Sequence, residues 1–261
     1  MKKITLLISG LILAFSTANA QITREAYEKE YYVEEGDSLP YRVLYPENFN
    51  PKKEYPVILF LHGAGERGYD NERQLALGGD LFLKDDIRKE YPAIVVFPQC
   101  DTKSMWTNRT KRQRKNNSWE FQFPTPEVPS RPTQLLINML DEFVDNDYVD
   151  TDRIYVMGIS MGGIGTLEML YRFPKQFAAA AVICGGNDKD LAKEYKKVPI
   201  WFFHGEADDV VPPIYSKQVF DAVKDKNRHT RYTSYPNTNH NSWDKALAEP
   251  DLLKWMFQFK N

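Results

Sequence analysis

Five short apolar runs stand out along this chain: Val57-Ile58-Leu59-Phe60-Leu61, Ala93-Ile94-Val95-Val96-Phe97, Arg153-Ile154-Tyr155-Val156-Met157, Ala179-Ala180-Ala181-Val182-Ile183 and Pro199-Ile200-Trp201-Phe202-Phe203. Continuous apolar runs of this length, without polar alternation, predict central parallel strands buried on both faces. Residues 27–33 and 39–45 predict an antiparallel pair joined near Gly36-Asp37, and Pro46 to Pro56 a polar connection. Between the runs the period changes. Residues 133–146 place Leu136, Met139, Leu140 and Phe143 on one helical face, and 163–171, 215–224 and 244–259 also read as helices. Residues 230–235 complete the strand set. Strands alternating with helices predict an α/β chain built on a mostly parallel, doubly wound sheet, with ligand sites beyond the C-terminal ends of the strands.

Two segments break this pattern. Met1-Lys2-Lys3, the apolar stretch from Ile4 to Phe15 and Ala18-Asn19-Ala20 have the layout of a secretory signal peptide, too short for a permanent span. Cleavage after residue 20 leaves Gln21 first. The expectation is a periplasmic or secreted bacterial protein without a stable membrane anchor, its one domain covering 21–261. The second segment, residues 101–132, lacks periodicity. It carries Lys103, Arg109, Lys111, Arg112, Arg114 and Lys115 together with Trp106, Trp119, Phe121, Phe123 and four prolines. A long loop after a central strand reads as a substrate-binding insertion, or as a solvated basic loop with its aromatics tucked onto the body.

Composition narrows the classes. The 261-residue chain has a formal net charge of −2, and −4 once the leader's Lys2 and Lys3 are removed, which excludes a general nucleic-acid binder. About 240 residues suit one α/β domain with a large core. Cys100 and Cys184 are too few for a disulfide scaffold; two free, partly buried thiols are expected, with one disulfide as the alternative.

The chemistry starts at Gly158-Ile159-Ser160-Met161-Gly162, between a predicted strand and a predicted helix. A serine on such a turn, with glycine two before and two after, has the layout of a nucleophile elbow. The turn strains the serine backbone, and side chains at the flanking glycines would collide with the neighbouring strand or helix. A nucleophile of this kind needs a downstream acid and then a base. Asp208, on the loop after the strand ending at Phe203, is the acid of choice, with Asp209 as fallback. His240 lies in the polar loop Asn237–Trp243, after the last strand, where the base belongs. His62 and His204, each at a strand end before a glycine, read as structural, and His229 as solvated. The oxyanion hole takes the Met161 N–H and a second N–H from the small residues after the first central strand, Ala64 with Gly65 as runner-up.

Leu61-His62-Gly63-Ala64-Gly65-Glu66-Arg67-Gly68 with Asp70-Asn71, Gly158–Gly163, and His240-Asn241-Ser242-Trp243-Asp244 resemble the secreted bacterial hydrolases usually labelled "predicted peptidase". That group is related to dienelactone hydrolase-like and prolyl oligopeptidase-like enzymes, and to feruloyl and acetylxylan esterases of the polyhydroxybutyrate depolymerase type. The resemblance covers nearly the whole mature chain. It implies the α/β-hydrolase fold and a Ser160, Asp208, His240 triad. It also implies that Pro98-Gln99-Cys100 and Trp106 border the pocket, so that Gly65, Gln99, Trp106 and Trp243 make up the expected substrate-binding set. No metal or cofactor is expected.

The expected activity is that of a secreted serine esterase acting on feruloyl or acetyl groups of plant polysaccharide. Insertion aromatics would stack on sugar or phenolic rings, and its cations would favour uronic acids. The alternatives are a serine peptidase on short peptides, or a non-catalytic carbohydrate-binding protein on a hydrolase scaffold.

Overall fold

The computed structural model describes residues 23–108, 111–115, 118–123 and 128–261. The leader assigned to residues 1–20, Gln21 and Arg109 lie outside the described residues, as do the side chains of Lys111, Arg112, Arg114, Lys115 and Trp119. The strands are β1 (Glu28–Glu34), β2 (Asp37–Leu44), β3 (Tyr55–Leu61), β4 (Ile94–Pro98), β5 (Lys111–Lys115), β6 (Ser118–Gln122), β7 (Val149–Ile159), β8 (Ala179–Ile183), β9 (Ile200–Gly205) and β10 (Arg231–Tyr235). The α-helices are α1 (Asp85–Glu90), α2 (Arg131–Val144), α3 (Met161–Arg172), α4 (Ile214–Val223), α5 (Trp243–Ala246) and α6 (Leu252–Met256).

Eight strands form one sheet in the order β1-β2-β4-β3-β7-β8-β9-β10. β2 runs antiparallel to both β1 and β4, and every pairing from β4 to β10 is parallel. The mostly parallel α/β sheet expected from the apolar runs is therefore the one observed. The physical reason for those runs is visible in β3. Val57, Leu59 and Leu61 enter the core against α2, α3 and α4, while Ile58 and Phe60 enter a second core with Leu75, Phe82 and Trp255. Both faces are covered, so no position of the strand can be polar. The edge strands β1 and β10 are correspondingly more exposed.

α2 begins as its sequence prescribes. Ser130 caps it by accepting the Thr133 N–H, Pro132 occupies the first turn, and Leu135, Leu136, Met139, Leu140 and Phe143 form the buried face. Two expectations are corrected. The single last helix over 244–259 is two short ones, α5 and α6, because Pro250 lies between them and cannot donate to a continuing helical ladder. The aperiodic segment 101–132 is not one loop: β5 and β6 pair as an antiparallel hairpin, Lys111 opposite Gln122 and Lys115 opposite Ser118, and α2 already begins at Arg131. Charged positions along β5 hide a strand whose pairing is supplied by its neighbour rather than by an apolar face.

Cys100 and Cys184 are free and both fully buried, which raises the pKa of each thiol through loss of solvation. Among the described residues no helix is long and apolar enough to cross a membrane.

Candidate active site

Ser160 joins β7 to α3 at φ 55° and ψ −115°. An L residue pays about 1–3 kcal/mol for such a conformation. The neighbours hold it there: the Ser160 N–H donates to the Ile183 carbonyl at 2.9 Å, and its own carbonyl accepts from Ile164 N–H at 3.0 Å. A side chain on Gly158 would run into the Gly162 carbonyl, and one on Gly162 into the Leu61 carbonyl. Serine at a helix start usually caps the helix. Ser160 does not; its hydroxyl turns away and stands 2.8 Å from Nε2 of His240.

His240 sits on the loop after β10, its ring edge-on to Trp243 with centroids 5.5 Å apart. Its Nδ1 lies 2.7 Å from Oδ2 of Asp208. Asp208 is buried on the loop after β9, whereas Asp209 is exposed and contributes only its backbone N–H, donated to Oδ1 of Asn239 at 3.2 Å. That bond and the Ala207 N–H to Thr238 carbonyl bond, at 3.0 Å, lash the acid loop to the base loop. Burial pushes the Asp208 carboxyl up, but hydrogen bonds from His204, His240 and the Val211 N–H outweigh it and hold the group well below the usual carboxylate range. The carboxylate stays ionised, as a partner for a developing imidazolium must.

The loop after β3 lies directly on the elbow, so close that a Cβ on Gly63 would stand 3.7 Å from that of Ser160. Met161, as first residue of α3, has its N–H outside the helical ladder. Ala64 opens a 3₁₀ turn over Ala64–Glu66. Both line a cleft of about 510 Å³ together with Gly65, Ser160, His240 and Trp243. His62 beneath the loop is fully buried, and burial pushes its imidazole down to about 4. The neutral ring donates from Nδ1 to the Gly63 carbonyl at 2.6 Å and accepts the Cys100 N–H on Nε2 at 3.0 Å.

Two residues expected at the substrate are elsewhere. Gln99 is fully buried; its Oε1 accepts the Asn71 N–H at 2.8 Å, and its Nε2 donates to Asp70 at 2.9 Å and to the Glu66 carbonyl at 3.2 Å. It staples the loop after β3 from behind. Trp106 is buried too. Its indole N–H donates to the His62 carbonyl at 3.1 Å and its ring packs on His62, so the residue wedges the loop against α3. A long aromatic or amide side chain beside a glycine-rich loop is read from sequence as reaching outward, but here the loop's unpaired backbone groups draw it inward.

Other residues take their place in the cleft: Glu66, Arg67, Met105, Phe121 and Val210. Burial raises the Glu66 carboxyl, partly offset by backbone N–H donors of Glu66 and Gly63. Arg67 braces the wall, donating to the carbonyls of Ala64 at 3.0 Å and Ser104 at 3.1 Å. The adjacency of Glu66-Arg67 to the small residues expected to form the oxyanion hole is a signal that could have found them. Phe121 is one of the insertion aromatics expected to meet substrate, but only the hairpin selects it: its N–H donates to the Tyr215 hydroxyl at 2.9 Å, and Phe121, Phe123 and Tyr215 cluster at centroid distances of 5.4–5.9 Å.

A mostly parallel sheet with a strained serine after β7, a buried acid after β9 and a histidine after β10 is the arrangement of the α/β-hydrolase fold, and the chain has that fold. The model of the Esterase family matches residues 34–250, and the chain belongs to that family. It is 25% identical to a bifunctional acetylxylan esterase/xylanase of Neocallimastix patriciarum over 226 residues, which are 87% of this chain and 29% of the relative. The chain thus spans under a third of that relative's length. A thermostable esterase superposes with a TM-score of 0.82 at 31% identity, over 91% of this chain and 64% of the other. A ferulic acid esterase of Anaeromyces mucronatus, solved with ferulic acid, shares the fold with a TM-score of 0.61 at 16% identity, over 87% and 89% of the two chains.

Proposed function

We propose that this protein hydrolyses carboxylic esters through an acyl-enzyme on Ser160. The observation that carries the reading is the continuous line from Ser160 Oγ to His240 Nε2, 2.8 Å, and from His240 Nδ1 to Asp208 Oδ2, 2.7 Å. In the first half-reaction Oγ attacks the ester carbonyl while Nε2 takes its proton. The N–H groups of Met161 and Ala64 receive the oxyanion. As the tetrahedral intermediate collapses, the carbon–oxygen bond to the alcohol breaks and His240 hands its proton to the departing oxygen. Water then attacks the acyl-enzyme, losing its proton to His240, which returns it to Ser160 as the acid leaves. Asp208 stays ionised throughout and steadies the imidazolium.

The substrates that fit best are feruloyl or acetyl esters on plant polysaccharide. Apolar Met105, Phe121, Val210 and Trp243 offer contacts for an aromatic acyl group, and the acetylxylan and ferulic acid esterase relatives work on such bonds by name. The leader pattern of residues 1–20 supports export, which would put the enzyme where polysaccharide is. The test compares purified wild type with Ser160→Ala on feruloyl, acetyl and longer acyl esters and on a matched peptide amide. Expected are ester turnover that Ser160→Ala abolishes and much slower amide cleavage. Equal rates for the two proteins refute the nucleophile, and faster amide cleavage would favour a peptidase. Labelling of wild type by a fluorophosphonate separates both from a carbohydrate-binding protein, which would form no adduct.

A further inference from the structure

The triad aspartate has a second histidine on it. His204, the fifth residue of β9 and fully buried, brings Nε2 to 3.2 Å from Oδ2 of Asp208, the same oxygen that His240 Nδ1 contacts. That Nε2 also lies 2.8 Å from the Val211 carbonyl. A carbonyl carries no proton, so Nε2 is the donor whatever the charge of the ring. On the other side, Nδ1 stands 2.7 Å from Ser216 Oγ, which is 3.0 Å from the Tyr232 hydroxyl. Ser216 Oγ also lies 3.0 Å from the Pro213 carbonyl, so its single O–H serves either that carbonyl or Nδ1. Aimed at the shorter Nδ1 contact of a neutral ring, it makes the Nε2–H a better donor.

The consequence falls on Asp208. Its Oδ1 accepts the N–H groups of Val210 and Val211, each at 2.9 Å, and its Oδ2 accepts from His240 Nδ1, while the single Nε2–H of His204 is shared between the Val211 carbonyl at 2.8 Å and the same Oδ2 at the longer 3.2 Å. Three hydrogen bonds and the His204 contact together engage both oxygens and therefore fix the plane of the carboxylate. We infer that His204 is a positioning residue for the triad, holding Asp208 in the orientation that aims His240 at Ser160 and sharing the carboxylate's charge with it. His204 touches no part of the cleft. The inference rests on the esterase reading above and concerns the same site.

The titratable groups around this assembly are Asp208, His240, Tyr232 and the buried thiol of Cys184, which lies within 4.8 Å of the acid and base atoms. Removing the His204 donor leaves more negative charge on Oδ2. That charge stabilises the His240 imidazolium, so the base is set free only at higher pH.

The experiment follows an acyl p-nitrophenyl ester with His204→Phe, His204→Gln and Ser216→Ala, with Ser160→Ala as control. His204→Phe is expected to lose about 10- to 100-fold in kcat, the scale of one hydrogen bond to a charged group. Its KM should stay within about twofold of wild type, and the acid limb of its kcat/KM profile should move to higher pH. His204→Gln keeps an amide donor and should recover most of kcat and the wild-type limb. Ser216→Ala should shift the limb in the same direction, by less. A folded His204→Phe with wild-type kcat and limb overturns the inference, as does a loss that Gln does not rescue. If His204→Phe does not fold, an unshifted limb in Ser216→Ala overturns it. The triad reading fails separately, only if Ser160→Ala stays active.

Discussion

Trp106 fills the space that a side chain on Gly165 would need: a Cβ there would stand 2.6 Å from Trp106 Cβ and 3.0 Å from its Cγ. Gly165 lies inside α3, where replacing glycine by alanine ordinarily stabilises by about 1 kcal/mol. Here packing opposes propensity, because the clash is with the root of a buried indole rather than a flexible tip. Overpacking of this kind costs about 1–3 kcal/mol. Gly165→Ala is therefore expected to lower the urea midpoint, with the m-value unchanged. A raised midpoint would mean that Trp106 can move at little cost.

His62 ties stability to pH. Its folded pKa, about 4, lies below the ordinary imidazole value of 6.5, so folding favours the neutral ring. Its contribution is complete above pH 6.5 and is lost as pH falls toward 4, by about 3 kcal/mol in all. Asp208, depressed below the carboxylate range, loses its contribution only at more acid pH, so the two windows separate. The difference between wild type and His62→Gln, measured by denaturation from pH 7 to 4, should shrink across that interval. A constant difference would refute the buried neutral ring.

Ser160 sets activity against stability. Ser160→Gly removes the nucleophile and also relieves a positive φ that glycine adopts freely. Hydrolysis should fall by at least about 10⁴-fold. The melting temperature should nevertheless match or exceed that of wild type, strain relief of about 1–3 kcal/mol offsetting glycine's added chain entropy. Calorimetry of the two proteins decides, and a marked drop in melting temperature would argue against strain at the elbow.

Phe121 reports on what the hairpin contributes. Its ring lines the cleft while its N–H anchors to Tyr215. Phe121→Ala keeps the backbone bond and removes only the ring. KM for a feruloyl ester should rise about tenfold, on the scale of one lost aromatic contact, with little change for an acetyl ester. Equal effects on both substrates would mean that the acyl group binds elsewhere.

Gln99→Leu tests the loop from behind. The change leaves the Asn71 N–H without its acceptor, costing about 1–3 kcal/mol. Because Gln99 also donates to the Glu66 carbonyl, kcat should fall with the oxyanion loop loosened. An unaltered kcat at reduced stability would confine Gln99 to folding alone.

Much of this architecture is legible along the chain because its causes are local. Strands buried on both faces must be apolar throughout, as β3 and β8 are, and a tight strand–helix turn must have small residues around Ser160. The order of Ser160, Asp208 and His240, each just past a strand, follows from the same local marks. Pro250 could have been read the same way, as the break between α5 and α6.

What the sequence by itself determined is the sheet and the set of groups gathered at its C-terminal edge. Tertiary structure alone decided which side chains line the cleft and which are buried behind it. Trp106 and Gln99 turned inward because polar backbone groups of a distant loop, at His62, Glu66 and Asn71, needed partners away from water. Phe121 reached the cleft only through a hairpin docked on Tyr215. His204, read as an ordinary strand-end histidine, found Asp208 because the loop after β9 folds back over its ring. Such partnerships join residues with no shared local pattern, and burial assigns them only once the chain has closed.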